Sequence, residues 1–379
     1  MTARQGNDPD TLRRHFGRAD SILPLWIAEP DVALAPPIRQ ALENRAASGW
    51  YGYETRPSSI IESFWSWMST RHSWDGSELL TTVSPSIGSS IGSLIKLFTD
   101  PGDGVILQPP VFTDFKTIIT SAGRSVVRNP LLLRGNGYEI NFEELEAKAS
   151  EPTTRMLILC SPHNPVGRVW REDELRAVAT ICSNHSVFVI ADEIHSDITL
   201  APHSFHPFAL ASTDLDLAWA ATHGPIKTFG LAGACDTLLI TNSAEITRAF
   251  ETLSSQLHLT RNNAFGLAAF EAAYNSGSAW LNDFLNLISQ NVKVLQDELP
   301  SEVQVLTLEG TYLAWLDFRQ LGFEVSELPI WLANSAGLAL SPGHWFGREG
   351  AGFARMTIAS PTTTIEQAAQ QLSAATSRL

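Results

Sequence analysis

The chain has 379 residues, 44% of them apolar and 17% charged, with a formal net charge of −14. That length suits two intimately packed domains around a large core, and the acidic balance argues against nucleic acid or an anionic membrane as partner. Cys160, Cys182 and Cys235 are odd in number and set in apolar segments, so buried free thiols in a reducing compartment are expected rather than disulfides, and no zinc-ligand spacing points to a metal.

Residues 1–8 lack the charged-then-apolar pattern of a leader and no run reaches the length a bilayer requires, so a cytoplasmic protein is expected. Over residues 60–273, short apolar runs at 79–83, 104–107, 156–159, 187–191, 217–221 and 237–240 alternate with helical periodicity. This alternation predicts an α/β fold with a mainly parallel sheet covered by helices. Beyond Trp280 the pattern predicts a long amphipathic helix to about Leu299 and strands at 303–308 and 312–318. A helix at 326–336, a strand at 355–359 and a closing helix complete a smaller α+β domain. No repeat or long linker interrupts the chain, and the boundary is expected within the helix near Trp280.

Polar groups with chemical potential fall just after the apolar runs, where ligands gather in parallel sheets. Lys227 lies in His223-Gly224-Pro225-Ile226-Lys227-Thr228-Phe229-Gly230, an almost uncharged stretch. Burial lowers the pKa of such an amine and leaves it able to attack a carbonyl carbon, although a surface lysine on a Gly-Pro turn is the bland alternative. Lys96, Lys116, Lys148 and Lys293 lie in segments with helical periodicity, where a solvated role is the default. Asp192 ends an apolar run and is a costly buried carboxylate unless it meets a cation; it can also serve as a helix cap. Asn164 sits in Ser161-Pro162-His163-Asn164-Pro165-Val166-Gly167, a motif that doubles as a routine turn, and His195 closes Asp192-Glu193-Ile194-His195, where a satisfied core histidine is the alternative.

Taken in this order, these motifs resemble pyridoxal-phosphate enzymes of the aspartate aminotransferase fold (transferase fold type I). The wording Ser161 to Trp170, Asp192 to His195, Lys227 to Gly233, Gly310 to Arg319 and Pro342 to Gly347 is similar to the MalY/PatB-type cystathionine β-lyase branch of class I/II aminotransferases, over the chain from about Leu23 onward. The resemblance implies pyridoxal 5′-phosphate as cofactor and a large domain at 46–280, with 1–45 and 281–379 forming the small one. It makes Lys227 the catalytic base, Asp192 the partner of the ring nitrogen, and Asn164 and His195 donors to the ring hydroxyl. Phe112 stands where most relatives stack a tyrosine. Ile87 and Gly88, at the start of a helix after Ser84-Pro85-Ser86, offer amides to the phosphate. Tyr53 would reach the phosphate of a second subunit, so a homodimer is implied. Arg355 would bind the substrate carboxylate with its planar fork, an edge-strand arginine being the alternative, and Trp26 would line the entrance.

Several positions depart from the pattern. Gly224 and Ile226 stand where relatives carry serines, which leaves Thr222 or His223 as possible replacements toward the phosphate, and Glu29-Pro30-Asp31 replaces Asp-Met-Asp at the entrance. The activity implied is a carbon–sulfur β-lyase acting on an S-substituted cysteine. An aminotransferase is the nearest alternative; a specialised enzyme for a cysteine conjugate in natural-product synthesis, or a regulatory module that kept the fold, are the others.

Overall fold

The computed structural model describes residues 6–379; Met1–Gln5, part of the stretch read for a leader, lie outside the described residues. A seven-stranded sheet forms the centre, in spatial order Leu80–Ser84, Thr237–Thr241, Trp219–His223, Phe188–Asp192, Thr154–Cys160, Gly104–Leu107 and Ser125–Arg128. Only Thr237–Thr241 runs against the rest, so six carboxyl ends open on one edge.

Both faces of this sheet are covered. Val105, Met156, Ile158 and Ile190 face one apolar cluster with Ile91, Leu94 and Phe115, while their neighbours Ile106, Leu157, Leu159 and Val189 face the other. Continuous apolar runs are what a doubly covered parallel sheet demands, and that is why six of the seven strands stand out as runs in the sequence. The seventh, Ser125–Arg128, is an edge strand with partial exposure and was not anticipated, nor was the hairpin of Leu132–Arg134 with Gly137–Glu139.

A second, antiparallel sheet orders Gln304–Val305, Leu313–Asp317, Phe353–Thr357 and Ser341–Pro342. The expected strand at 355–359 is thus displaced to Phe353–Thr357, and the run at 303–308 pairs over only two residues. Helix Ser278–Glu298 lies against the closing helix Thr362–Thr376. From the N-terminal segment, Leu23–Pro24 pairs with Leu338–Ala339, and the Thr357 amide donates to the Leu25 carbonyl at 2.8 Å. Helix Pro36–Ala47 instead packs on Ala264–Ser276 beside the main sheet.

Gly167 joins the two parts. Its φ is +73°, its carbonyl accepts the amides of Glu309 and Gly310, and a Cβ there would stand 2.4 Å from Leu308 Cδ1. Only glycine meets both conditions without strain. The three cysteines are free and buried, and burial raises the Cys235 thiol to about 12. Among the described residues, no helix is long and apolar enough to cross a membrane.

Candidate active site

A cavity of about 480 Å³ opens at the carboxyl edge of the main sheet. Five strand ends feed it. Ser86, Ile87 and Gly88 follow Ser84; Phe112 follows Leu107; Asn164 follows Cys160; Asp192 ends its strand; and Lys227 follows His223. Cys160, Asp192 and Thr222 lie side by side in register, which fixes the lateral spacing of these loops.

Asp192 is 5% exposed, and its Oδ1 accepts the Ile194 amide at 3.3 Å and the Thr222 hydroxyl at 3.1 Å. It caps no helix. Burial pushes its carboxyl up to about 6, against those two hydrogen bonds and the fields of Lys227 and His223. A buried carboxylate held near its titration point is stabilised by a cationic partner.

Lys227 sits in the turn after its strand, with the Nζ donating to the Ala28 carbonyl at 2.9 Å. The side chain keeps partial exposure because it faces the cavity, yet protein atoms surround it. Burial and the nearby Arg355 guanidinium pull its ammonium below the ordinary value, against the fields of Glu29, Asp192 and Asp114. The four other lysines all lie on helices, Lys96 on Ile87–Phe98, Lys116 on Thr113–Ser121, Lys148 on Phe142–Ala149 and Lys293 on Ser278–Glu298.

Asn164 is buried, and its Oδ1 accepts from Arg355 Nη1 at 3.0 Å, which turns its Nδ2 donor to the cavity it lines. Among the described residues, buried His195 has no partner for Nδ1, and burial, then Lys227 and Arg355, hold its pKa well below the ordinary value, so the ring is neutral. Phe112 precedes helix Thr113–Ser121 and meets Phe115 edge to face at 5.4 Å.

The helix Ile87–Phe98 begins at the cavity. Ser86 caps it, with the Oγ accepting the Ser89 amide at 3.1 Å, and the amides of Ile87 and Gly88 head the helix ahead of that capped group. A Cβ on Gly88 would meet Ile118 Cδ1 only at 3.8 Å, so the space beside this first turn is open, and the free amides of a helix start suit an anion.

Two expected replacements for the missing serines do not serve. The Thr222 hydroxyl is spent on Asp192, and His223 Nε2 pairs with Glu193 Oε2 at 2.7 Å in a wholly buried pair. The reason is alternation: both residues belong to the strand and point into its packed faces, not beyond its end. Ile226 lines the cavity instead.

Arg355 stands behind Asn164. Its Nη2 donates to the Trp26 carbonyl at 2.8 Å and to Ser341 Oγ at 3.3 Å, its Nε has no partner among the described residues, and its guanidinium lies 4.8 Å over Phe346. Burial lowers it to about 10, which leaves it charged at neutral pH. Trp26 enters through that carbonyl, because its indole donates to the Gly6 carbonyl at 3.1 Å and packs on Phe16 and Trp345. Tyr53 is 91% exposed, away from the cavity of its own chain, beneath Arg261.

Sequence reasoning assigned nothing to Glu193 or Asp197. Asp197 accepts Trp67 Nε1 at 2.7 Å and His72 Nε2 at 2.8 Å on one oxygen and the Thr228 hydroxyl at 2.9 Å on the other. Asp192, Glu193 and Asp197 therefore each reach across to Thr222, His223 and Thr228, clamping both sides of the Lys227 turn. Three acids within six residues of a buried segment were the available signal, since each needs a partner.

These groups fit pyridoxal phosphate. Asp192 suits a protonated ring nitrogen, Asn164 Nδ2 the ring hydroxyl, Phe112 a ring face, the Ile87 and Gly88 amides a phosphate, and Lys227 the aldehyde. The phosphate end is poor in hydroxyls and cations, because Ile226, Ile87 and Ile118 line the cavity.

The chain belongs to the aminotransferase class I and II family, whose model matches residues 31–372. Within it, the chain is 35% identical to cystathionine β-lyase PatB of Bacillus subtilis, across 96% of this chain and 94% of that one. Cystalysin of Treponema denticola, solved with pyridoxal 5′-phosphate, superposes with a TM-score of 0.91 at 26% identity, covering 97% and 95% of the two chains. The pyridoxal-phosphate-bound C–S lyase of Staphylococcus hominis gives a TM-score of 0.88 at 26% identity, covering 99% and 96%.

Proposed function

We propose that the protein is a pyridoxal-phosphate-dependent carbon–sulfur β-lyase that converts an S-substituted L-cysteine into a thiol, pyruvate and ammonia. The observation that carries this reading is Lys227: an amine whose pKa burial lowers, in one cavity with Asp192 and Asn164, in a chain that matches PatB over 96% of its length.

When bound, pyridoxal phosphate withdraws electrons from the substrate's α-carbon. Lys227 takes the α-proton at Nζ, its lowered pKa keeping a neutral amine available. Arg355 holds the substrate carboxylate and so fixes which α-bond faces the base. Asp192 keeps the ring nitrogen protonated. The β-carbon loses its sulfur as thiolate, and the released enamine takes up water to give pyruvate and ammonia.

The exposed stretch Trp50, Tyr51 and Tyr53, 70%, 57% and 91% exposed, supports a homodimer in which Tyr53 completes a second subunit's site. We place the large domain at 46–280 and the small one at 1–45 with 281–379, the helix Pro36–Ala47 crossing over to pack on Ala264–Ser276 of the large domain, and the three buried thiols support a cytoplasmic location.

The test is release of pyruvate and ammonia from cystathionine and simple cysteine S-conjugates with no keto acid added. Repeated turnover supports elimination. A single cycle that ends with the cofactor in its amine form, restarted by a keto acid, would make transamination the reaction.

A further inference from the structure

A second cavity, of about 550 Å³, shares no residue with the first and opens between helices Ser59–His72, Ala264–Ser276 and Ser278–Glu298. Trp67, Arg71 and His72 come from the first helix, Tyr274 from the second and Leu285 from the third, and Phe205 closes it from a loop. The chain carries a net charge of −14, yet no Asp or Glu is among the described residues lining this cavity, whereas Asp114 and Asp192 line the one that holds Lys227. An arginine and a histidine without an acid favour an anion.

The polar groups that line it have capacity to spare. Tyr274 is 6% exposed, and its hydroxyl has no hydrogen-bond partner among the described residues. Burial, then Asp197 and Cys235, raise its pKa well above the ordinary value, so it stands as a donor. The His72 side chain is likewise 6% exposed; Nε2 is bound to Asp197, and Nδ1 has no partner among the described residues. Arg71 lies 5.5 Å over the Trp67 ring and gives only Nη1, to Asn282 Oδ1 at 3.2 Å, which leaves most of its fork open. That fork matches a carboxylate, and Trp67, Phe205 and Leu285 offer apolar surface to whatever carries it.

The same walls lead to the reacting centre. Trp67 Nε1 and His72 Nε2 share one oxygen of Asp197, whose other oxygen accepts the Thr228 hydroxyl beside Lys227. Burial raises the Asp197 carboxyl, but His72, Trp67 and the field of Arg71 together hold it below its ordinary value. An anion on Arg71 offsets that field and offers His72 a second partner, so it bears on the bond that anchors the Lys227 turn.

We infer that this cavity is a regulatory site for a small organic carboxylate with an apolar body, held by Arg71 and the Tyr274 hydroxyl and read at Lys227 through His72, Asp197 and Thr228. The inference goes beyond the lyase reading and needs only that Lys227 holds the cofactor.

The cofactor-loaded protein is titrated with benzoate by calorimetry and by cofactor absorbance, with benzamide as the neutral match and acetate as the match without a ring. Benzoate should bind about tenfold more tightly than either and shift the pH at which the cofactor absorbance titrates. Arg71→Gln should weaken it about tenfold and Tyr274→Phe severalfold. Binding should persist in Arg355→Ala, which separates this cavity from the proposed holder of the substrate carboxylate. Thr228→Val should keep the affinity and lose most of the absorbance shift, a loss that a ligand acting elsewhere does not produce.

Benzamide or acetate binding as tightly as benzoate would overturn the inference. So would an affinity unmoved by both Arg71→Gln and Tyr274→Phe, or binding that leaves the cofactor absorbance of the wild type unchanged. Tyr274→Phe removes a single hydroxyl and decides the matter should Arg71→Gln not fold.

Discussion

Arg355 Nη1 donates to Asn164 Oδ1 at 3.0 Å, joining the small sheet to the loop beyond the Cys160 strand. The proposed carboxylate holder and the proposed cofactor donor are therefore one unit. Asn164→Ala removes the Nδ2 donor and one of the bonds that aim Arg355. A hydrogen bond to a charged group contributes about 1.5–3 kcal/mol, so KM for the amino acid and the Kd for pyridoxal phosphate should both rise at least tenfold. Arg355→Ala should raise KM with a smaller effect on cofactor Kd. Steady-state kinetics beside a cofactor titration separates the two, and equal effects from both variants would break the proposed division of labour.

Lys227→Ala should lower turnover by about 10⁴-fold while the fold and the cavity persist, because a positioned base is lost and no other amine lines the cavity. Borohydride reduction of the loaded wild-type protein should label the peptide carrying Lys227, and the variant should take no label. Turnover within tenfold of wild type would remove Lys227 from the chemistry.

Asp192 gives the cofactor-free protein a defined pH response. Its carboxyl has an ordinary value of 3.8 and stands at about 6 in the fold, raised first by burial. The native state thus holds this proton more tightly than the unfolded chain. Below pH 3.8 both states are mostly protonated and the residue costs little; between about pH 4 and 6 the unfolded chain ionises while the native state keeps its proton, so the cost grows to about 3 kcal/mol and stays there above pH 6. Asp192→Asn should therefore match the wild-type apoprotein near pH 4 and exceed it by up to about 3 kcal/mol near pH 7 in denaturant unfolding. The same variant should bind pyridoxal phosphate more weakly, since the cation has lost its counter-charge. A constant difference between the two proteins from pH 4 to 7 would show that Asp192 titrates normally.

Much of this site was legible because buried parallel strands write themselves as apolar runs and their polar terminators stand out. Lys227, Asp192 and Asn164 each follow such a run, and the cavity gathers all three. Partners chosen by packing were not legible. Nothing in the neighbourhood of Thr222 or His223 in sequence says that one faces Asp192 and the other Glu193, thirty residues away in each case. The Ser125–Arg128 strand escaped for the opposite reason: an edge strand with partial exposure needs no apolar run. Trp26 was expected to line the entrance, and its place was set by aromatic neighbours far along the chain, Phe16 and Trp345.

Asp197 is the buried anchor of the Lys227 turn, through the 2.9 Å bond from the Thr228 hydroxyl. Burial alone would raise its carboxyl, but the bonds from His72 and Trp67 and the field of Arg71 outweigh it and hold the value below the ordinary one. Asp197→Ala leaves three donors without an acceptor and should destabilise the protein by about 3–5 kcal/mol. Thr228→Val keeps the volume, removes one bond worth about 1 kcal/mol, and loosens the residue next to Lys227. It should lower kcat more than it raises KM and shift the pH at which the cofactor absorbance titrates. Unchanged kcat and absorbance in a stable Thr228→Val protein would make the Asp197 cluster a purely structural feature.

The phosphate end of the cavity yields the last prediction. Gly224 and Ile226 supply it no side-chain hydroxyl, and the two residues differ in what can be restored. A Cβ at Gly224 would lie 3.3 Å from both Cα and Cγ2 of Thr237 on the neighbouring strand, so a serine there must displace backbone. Ile226 already places a side chain in the cavity. Ile226→Ser exchanges apolar surface for a hydroxyl in the cavity that Ile87 and Gly88 also line, and a hydrogen bond to a dianionic phosphate contributes about 1.5–3 kcal/mol. Its Kd for pyridoxal phosphate should fall by tenfold or more, whereas its affinity for unphosphorylated pyridoxal should stay the same, which separates a phosphate contact from a general change of the cavity. Gly224→Ser should gain no affinity and should lower the unfolding temperature. Equal tightening toward both forms of the cofactor, or tightening by Gly224→Ser, would place the phosphate elsewhere than at the start of helix Ile87–Phe98.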